Sequence, residues 1–321
     1  MTCVLVRIWN SIDVHLKNGC IVIRSRGKTI SLDSTTPIQT DIAFLSHAHY
    51  DHLPRRVSST VLASNETVEL ARVRGLSIKS YINKAESLKL LDSGHILGSR
   101  ALLVDNDLLY TGDFAGRPRA FLSKLVSVKC KTLIIEATYG KPGIVFPSVA
   151  KVMGAAMDSI SRAYELGNGI VLEGYTLGKA QLLNYMFQTW RPIFVHPKIE
   201  AINQTYRKFG VAIPMPDKVV DDIGGLIHKG PFVFIAPMNL HLRSDIPMIK
   251  FTGWAHNTSK SSLPLSDHAD FEELITYIKK ANPERILTIY GFDRGLAEEL
   301  RRQGFYAKSV SDLQTDILDY I

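Results

Sequence analysis

The chain has 321 residues, 45% of them hydrophobic and 21% charged, which is room for one large globular domain or two of ordinary size, each with a real core. No apolar run is long enough to span a bilayer and the first ten residues lack the pattern of a signal peptide, so a soluble, intracellular (cytoplasmic) protein without a membrane partner is expected. A net charge of +7 favours a polyanionic partner without requiring one, and Cys3, Cys20 and Cys130, widely spaced and with no C-x-x-C pair, read as buried or reduced thiols.

In chain order, "MTCVLVRIWN" alternates Val4, Val6 and Ile8 as a strand does. "CIVIRS-RGK-TISLDS" predicts a hairpin with Gly27 in its turn and Asp33 closing the second strand. The run "DIAFL" reads as a buried strand that leads into "SHAHYDHLP", where Pro54 suits the first turn of a helix. "ALLVDNDLLYTGDF" predicts a second hairpin around Asp105 to Asp107, and "KTLIIEATYG" a buried strand ending at Glu136. After "GKPG" the pattern changes. Residues 147 to 167 have helical spacing, and "GIVLEGYTLGKAQLLNYMF", "PIFVHP", "AINQTYRKFGV" and "GPFVFIAP" alternate strand and helix as a parallel α/β layer does. Near the end, Asp270 with Glu273 three residues on has the signature of a capping box. No internal repeat or low-complexity linker interrupts the chain. Two segments with motif-rich strand ends flank a self-contained α/β block, which is the outline of one domain inserted into another.

The chemistry concentrates at those strand ends. His47, His49, Asp51 and His52 form H-x-H-x-D-H, four potential ligands from one loop at the end of a buried strand. Imidazole and carboxylate are the ligands of catalytic zinc, with manganese or iron as rivals. One loop rarely closes a two-metal site, so further ligands are expected downstream. His95 in "SGHILGS" sits among small residues that allow close backbone approach, and Asp113 in "LLYTGDF" ends an apolar strand where a carboxylate can bridge two metals. Taken alone, His95 reads as a structural histidine and Asp113 as a turn residue; with the first cluster they read as ligands.

With G-H-x-x-G-S and G-D-F in this order, the sequence resembles the metallo-β-lactamase fold, and "EATYG" and "SDHAD" resemble the extra motifs of its β-CASP branch of nucleic-acid-processing nucleases. The resemblance covers nearly the whole chain and is nearest to compact prokaryotic ligase-associated exonucleases, also described as similar to mRNA 3′-end processing factors. It implies an α/β fold, a metallo-β-lactamase αββα sandwich formed by residues 1–141 and 262–321, with an inserted α/β β-CASP domain over 142–261 and a nucleic-acid cleft between them. It also implies one or two zinc ions, with manganese as an alternative. His47, His49, His95 and Asp113 would hold the first metal, and Asp51, His52 and the shared Asp113 the second. Water activated there would attack a phosphodiester, with Asp51, Glu136 and His268 in catalytic roles. His268 would contact the scissile phosphate or give a proton to the leaving oxygen, and Glu136 would orient it. Arg55, Arg56, Lys179 and His196 are candidate substrate contacts. For Lys179 the competing reading is a strand-to-helix turn, because "GYTLGKAQ" lacks phosphate-loop spacing.

One position departs from the family pattern. Where a strand ending in His-Gly usually completes the second metal site, "LTIYGF" places Tyr290, and a phenol with pKa near 10 is a poor ligand. The second metal should therefore be weaker, differently coordinated or absent. The reading is a metal-dependent nuclease of single-stranded DNA, with RNA close behind, acting as an exonuclease in DNA repair or RNA processing, with a DNA ligase or a repair or processing complex as possible partner. The rivals are a non-catalytic nuclease-like RNA-binding or scaffold subunit, and a small-molecule hydrolase on the same fold.

Overall fold

The computed structural model describes residues 4–6, 12–226, 230–242, 246–255 and 261–315. Cys3, Ile8, His228 and His256 lie outside the described residues. The chain divides into two compact units, one of residues 1–118, 123–144 and 268–321, the other of 119–122 and 145–267. The boundaries expected from sequence are 142 and 261; the units divide at 144/145 and at 267/268, so "SD" of "SDHAD" ends one unit and "HAD" begins the other.

The first unit contains a seven-stranded and a six-stranded sheet. In the seven-stranded sheet, Ile12–Lys17, Cys20–Ser25 and Lys28–Leu32 pair antiparallel, and Ile42–Phe44, Thr60–Leu62 and Tyr81–Ile82 continue in parallel. The predicted hairpin turn is a two-residue one at Arg26 and Gly27, both with positive φ (47° and 75°), the geometry that matches strand twist and favours glycine. The second predicted hairpin joins Arg100–Val104 to Leu108–Tyr110, and Thr132–Glu136 and Arg285–Ile289 extend that sheet in parallel.

Period-two alternation decides which side of each strand meets which layer. Leu102, Val104, Tyr110, Ile134 and Ile289 pack with Val14, Ile23, Ile30 and Phe44 of the other sheet. Their sequence neighbours Ala101, Leu103, Leu109, Leu133 and Ile135 pack instead with Leu274 and Ile278 of the helix Phe271–Ala281 and Leu296 and Leu300 of the helix Asp293–Arg302. The result is the αββα sandwich. Asp270 caps its helix as the spacing predicts: its side chain accepts from Glu273 N, and Glu273 reaches back to Asp270 N. Pro54 corrects the expectation made for it. A single 3-10 turn, Tyr50–His52, precedes it, and no helix begins until Asn65–Val73, because the intervening chain must extend into the strand Thr60–Leu62. Cys20 and Cys130 are free and buried.

The second unit is a six-stranded sheet, parallel throughout, in the order Lys218–Val219, Ile193–Val195, Val233–Pro237, Ile170–Gly174, Met248–Phe251, Ser262–Leu263. The helix Val149–Glu165 buries Val152, Ala156 and Ile160 against Ile170, Leu172 and Ile249. Among the described residues no helix is long and apolar enough to cross a membrane.

Candidate metal centre

Strand ends of the first unit supply most of the site. His47 and His49 follow Ile42–Phe44, Asp113 follows Leu108–Tyr110, Glu136 ends Thr132–Glu136 and Tyr290 follows Arg285–Ile289. Parallel pairing within each sheet brings those carboxyl ends to a common edge, where the irregular backbone needed for a site does not interrupt the ladder. His95 comes from the loop between Leu88–Asp92 and Arg100–Val104.

His47, His49, His95 and Asp113 converge, each offering one atom to a common centre. His49 Nδ1 lies 3.1 Å from both His47 Nε2 and His95 Nε2, and Asp113 Oδ2 lies 3.4 Å and 3.6 Å from those same two nitrogens. Ligands at about 2.0–2.1 Å from a tetrahedral zinc stand about 3.3–3.4 Å apart, so the separations fit. Hydrogen bonding does not account for them equally well. A single ring nitrogen carries one proton at most and cannot donate to two others at once.

Proton counting fixes which nitrogens face the centre. Ser46 Oγ donates to Asp33 Oδ2 at 2.5 Å, so at 2.9 Å it accepts from His47 Nδ1–H, leaving the His47 Nε2 lone pair turned inward. His52 Nδ1 likewise donates to Asp33 Oδ2 at 3.1 Å, leaving Nε2 facing Asp113 Oδ2 at 3.3 Å. Asp33 is the residue that sequence reasoning missed. Read there as the close of a hairpin, it is buried and also accepts from Ser46 N at 2.7 Å and from the Tyr110 hydroxyl at 2.7 Å. Its signal was a lone aspartate ending an apolar strand, the same signal that marked Asp113.

Burial holds His47 well below the usual imidazole range. At His52 burial pulls the same way, but the Asp113 carboxylate overrides it and holds the ring well above that range. Burial in turn works against charge on Asp113, and His52 and His268 outweigh it, keeping the carboxylate well below its ordinary value. The pull of Asp113 on a proton at His52 is the pull that would draw a cation between them. Asp51 stands further out. Its side chain is 80% exposed and its Oδ2 is 4.0 Å from His52 Nε2. Asp33, His47 and His52 form the second group able to hold an ion, and Asp51 belongs to none of the groups found among the described residues.

His268 joins through the backbone: Ala269 N–H donates to Phe114 O at 2.8 Å, setting His268 beside Asp113. Its Nδ1 donates to Glu136 Oε2 at 2.8 Å, and Glu136 Oε1 accepts from Phe114 N at 2.7 Å. Glu136 is fully buried, so the dyad is held from both of its carboxylate oxygens. Tyr290 is 39% exposed, with its ring 5.1 Å from that of His52 and its hydroxyl 3.1 Å from Tyr110. Because Tyr110 spends its proton on Asp33, Tyr290 must donate to Tyr110. Burial raises the Tyr290 pKa further. The phenol is thus kept protonated and hydrogen-bonded.

The candidate substrate contacts divide. Arg55 and Arg56 are exposed. Lys179 is buried, with Nζ 2.9 Å from Asp267 and donating to Leu265 O at 2.6 Å, so its charge is committed to the segment that leads into "HAD". His196 is 8% exposed and caps the helix Pro197–Lys208 by accepting from Lys198 N. Arg117 pairs with Asp270 and Glu273, and Arg119 with Asp267.

Two sheets packed face to face under helices, with an H-x-H-x-D-H loop at their edge, define a metallo-β-lactamase fold with a metal-binding donor set. No family model matches the chain. Over 296 residues it is 29% identical to a "Probable DNA ligase" of Opitutus terrae, covering 84% of this chain and 29% of that one. It is 24% identical to the mouse "DNA cross-link repair 1A protein", covering 76% and 28%. It is also 24% identical to the rat "5' exonuclease Apollo", covering 77% and 50%. A structure of a protein of unknown function from Enterococcus faecalis shares the fold, with TM-score 0.57 at 13% identity over 91% of this chain and 94% of the other. These similarities agree with the resemblance of its motifs to the β-CASP branch of the metallo-β-lactamase fold. It spans half or less of the length of each of these three relatives.

Proposed function

We propose that the protein is a metal-dependent nuclease that hydrolyses phosphodiester bonds of single-stranded nucleic acid, DNA before RNA. The observation that carries this reading is the meeting of a four-donor set with the pair of buried Glu136 and partly exposed His268 at the shared Asp113, whose Oδ2 is 3.9 Å from His268 Nδ1. His47, His49, His95 and Asp113 would hold a divalent zinc or manganese ion, and His52 with Asp51 a second, weaker one. A bound divalent ion supplies Lewis-acid activation of water and of a phosphoryl oxygen. The chain's own residues do the rest. Asp33 and Ser46 hold His52 and His47 in the tautomers that face inward. Glu136 fixes His268 with Nε2 outward, where it can touch the scissile phosphate or give a proton to the leaving oxygen. The relatives whose names speak of ligation, cross-link repair and 5′-exonuclease action support a place in DNA repair, and a ligase or repair complex is the partner this reading favours.

Tyr290 supports a second reading, a non-catalytic nucleic-acid-binding subunit, since a hydrogen-bonded phenol stands where the family's last histidine is expected. End-labelled single-stranded DNA and RNA of matched sequence, offered with zinc or manganese, separate the two. Cleavage by the wild type that is lost in Asp113→Ala and His268→Ala establishes the enzyme. Binding without cleavage under every metal establishes the subunit.

A further inference from the structure

One aromatic side chain among the metal-loop residues packs into no core. Tyr50 lies between His49 and Asp51 in the 3-10 turn Tyr50–His52 and is 66% exposed, whereas its neighbour His52 is buried. One face of its ring is covered: the guanidinium carbon of Arg74, the C-cap residue of the helix Asn65–Val73, lies 3.5 Å from the ring centroid. With that face covered, the exposure comes from the opposite face and the rim. A cation on an aromatic face is attracted by the ring quadrupole, so the tyrosine is held in place while still presenting a flat apolar surface to water. Arg74 Nε is itself buried without a hydrogen-bond partner among the described residues, which leaves the ring as a principal anchor of that guanidinium. A few residues on, Arg55 and Arg56 are exposed and make no ion pair among the described residues.

An ordered, one-sided aromatic followed in the chain by exposed arginines is the chemistry that binds a single strand, with a base on the ring and phosphates on the cations. We propose that Tyr50, backed by Arg74, is a nucleobase-stacking platform that seats a nucleotide beside the scissile phosphate. The proposal rests on the nuclease reading above and adds to it a residue that senses the base rather than the backbone. A ring fixed in advance loses little freedom when a base arrives, which favours binding.

The test measures binding by fluorescence anisotropy with a labelled, phosphorothioate-linked thymidine decamer and an abasic decamer of the same charge. Wild type should bind the base-bearing strand about tenfold more tightly, the size of one lost stacking contact. Tyr50→Ala should lose that preference and Tyr50→Phe should keep it. Equal binding of the two strands by wild type, or a Tyr50→Ala protein that retains the preference, overturns the platform and leaves the nuclease reading standing. If wild type binds neither strand, the nucleic-acid reading itself fails. Should Tyr50→Ala not fold, Tyr50→Leu makes the same test, since it keeps an apolar side chain under Arg74 but has no aromatic face and should lose the preference.

Discussion

Asp33 shows how much of the site depends on a residue that need not touch a metal. It gathers four donors, from Ser46 twice, His52 and Tyr110, and through them fixes two imidazoles and one phenol. Replacing an outer partner of this kind lowers metal affinity by about 10- to 100-fold. Asp33→Asn is expected to show that loss in chelator competition, because an amide offers a single acceptor oxygen in place of two. The convergence of His47 and His49 was legible from their spacing, and that of His95 and Asp113 only when they were read together with that cluster. Asp33 was not, since its role depends on Lys28–Leu32 lying parallel to Ile42–Phe44, with Asp33 N donating to Phe44 O. The pairing of Tyr50 with Arg74 was equally out of reach, because it depends on how a loop and a later helix end meet.

At the scale of the element, glycines decide how closely the ligand loops approach their neighbours. Gly94, next to His95, has φ 70°, and a Cβ there would collide with the backbone carbonyl of Ser123. Backbone cannot yield as a flexible side chain can, so Gly94→Ala should both destabilise the protein and displace His95. The expected readout is a lower urea midpoint together with reduced metal content. The helix Phe271–Ala281 begins directly after "HAD", and its cap ties the third position of that motif to the fold. Asp270→Ala removes the acceptor for Glu273 N and one partner of Arg117. A lost cap costs about 1 kcal/mol, and the loss should appear in equilibrium unfolding while Asp270→Asn recovers most of it. The capping box, both hairpins and the helix at 149–165 were legible, because each is set by neighbours a few residues apart. The extended chain after Pro54 was misread because a proline suits a helix start and an extended segment alike, and only the strand that follows decides between them.

At the scale of the whole molecule, the inserted unit carries its own buried charge. Lys179 and Arg119 share Asp267 in the interior of that unit. Burial pulls the Lys179 pKa down to about 8, with Asp267 opposing the shift. The folded pKa lies below the unfolded value of about 10.4, so between these limits the unfolded chain binds more protons and stability rises with pH. Unfolding followed from pH 7 to 10 should show that rise at its alkaline end, and Lys179→Met should flatten it. A wild-type curve falling across the same window would mean that the lysine is not buried as described.

The sequence by itself determined the types and order of the candidate donors and the alternation that marks an α/β block between two strand-rich segments, because these are written in local spacing and strand periodicity. Only the tertiary structure decided which atoms face one another. The tautomer of His47, the orientation of the His52 ring, the commitment of Tyr290's proton to Tyr110, the burial of Lys179 and the face that Tyr50 leaves open all follow from contacts between segments far apart in the chain. Hydrogen bonds have direction and each proton can be given once, so such assignments exist only when every partner is in place.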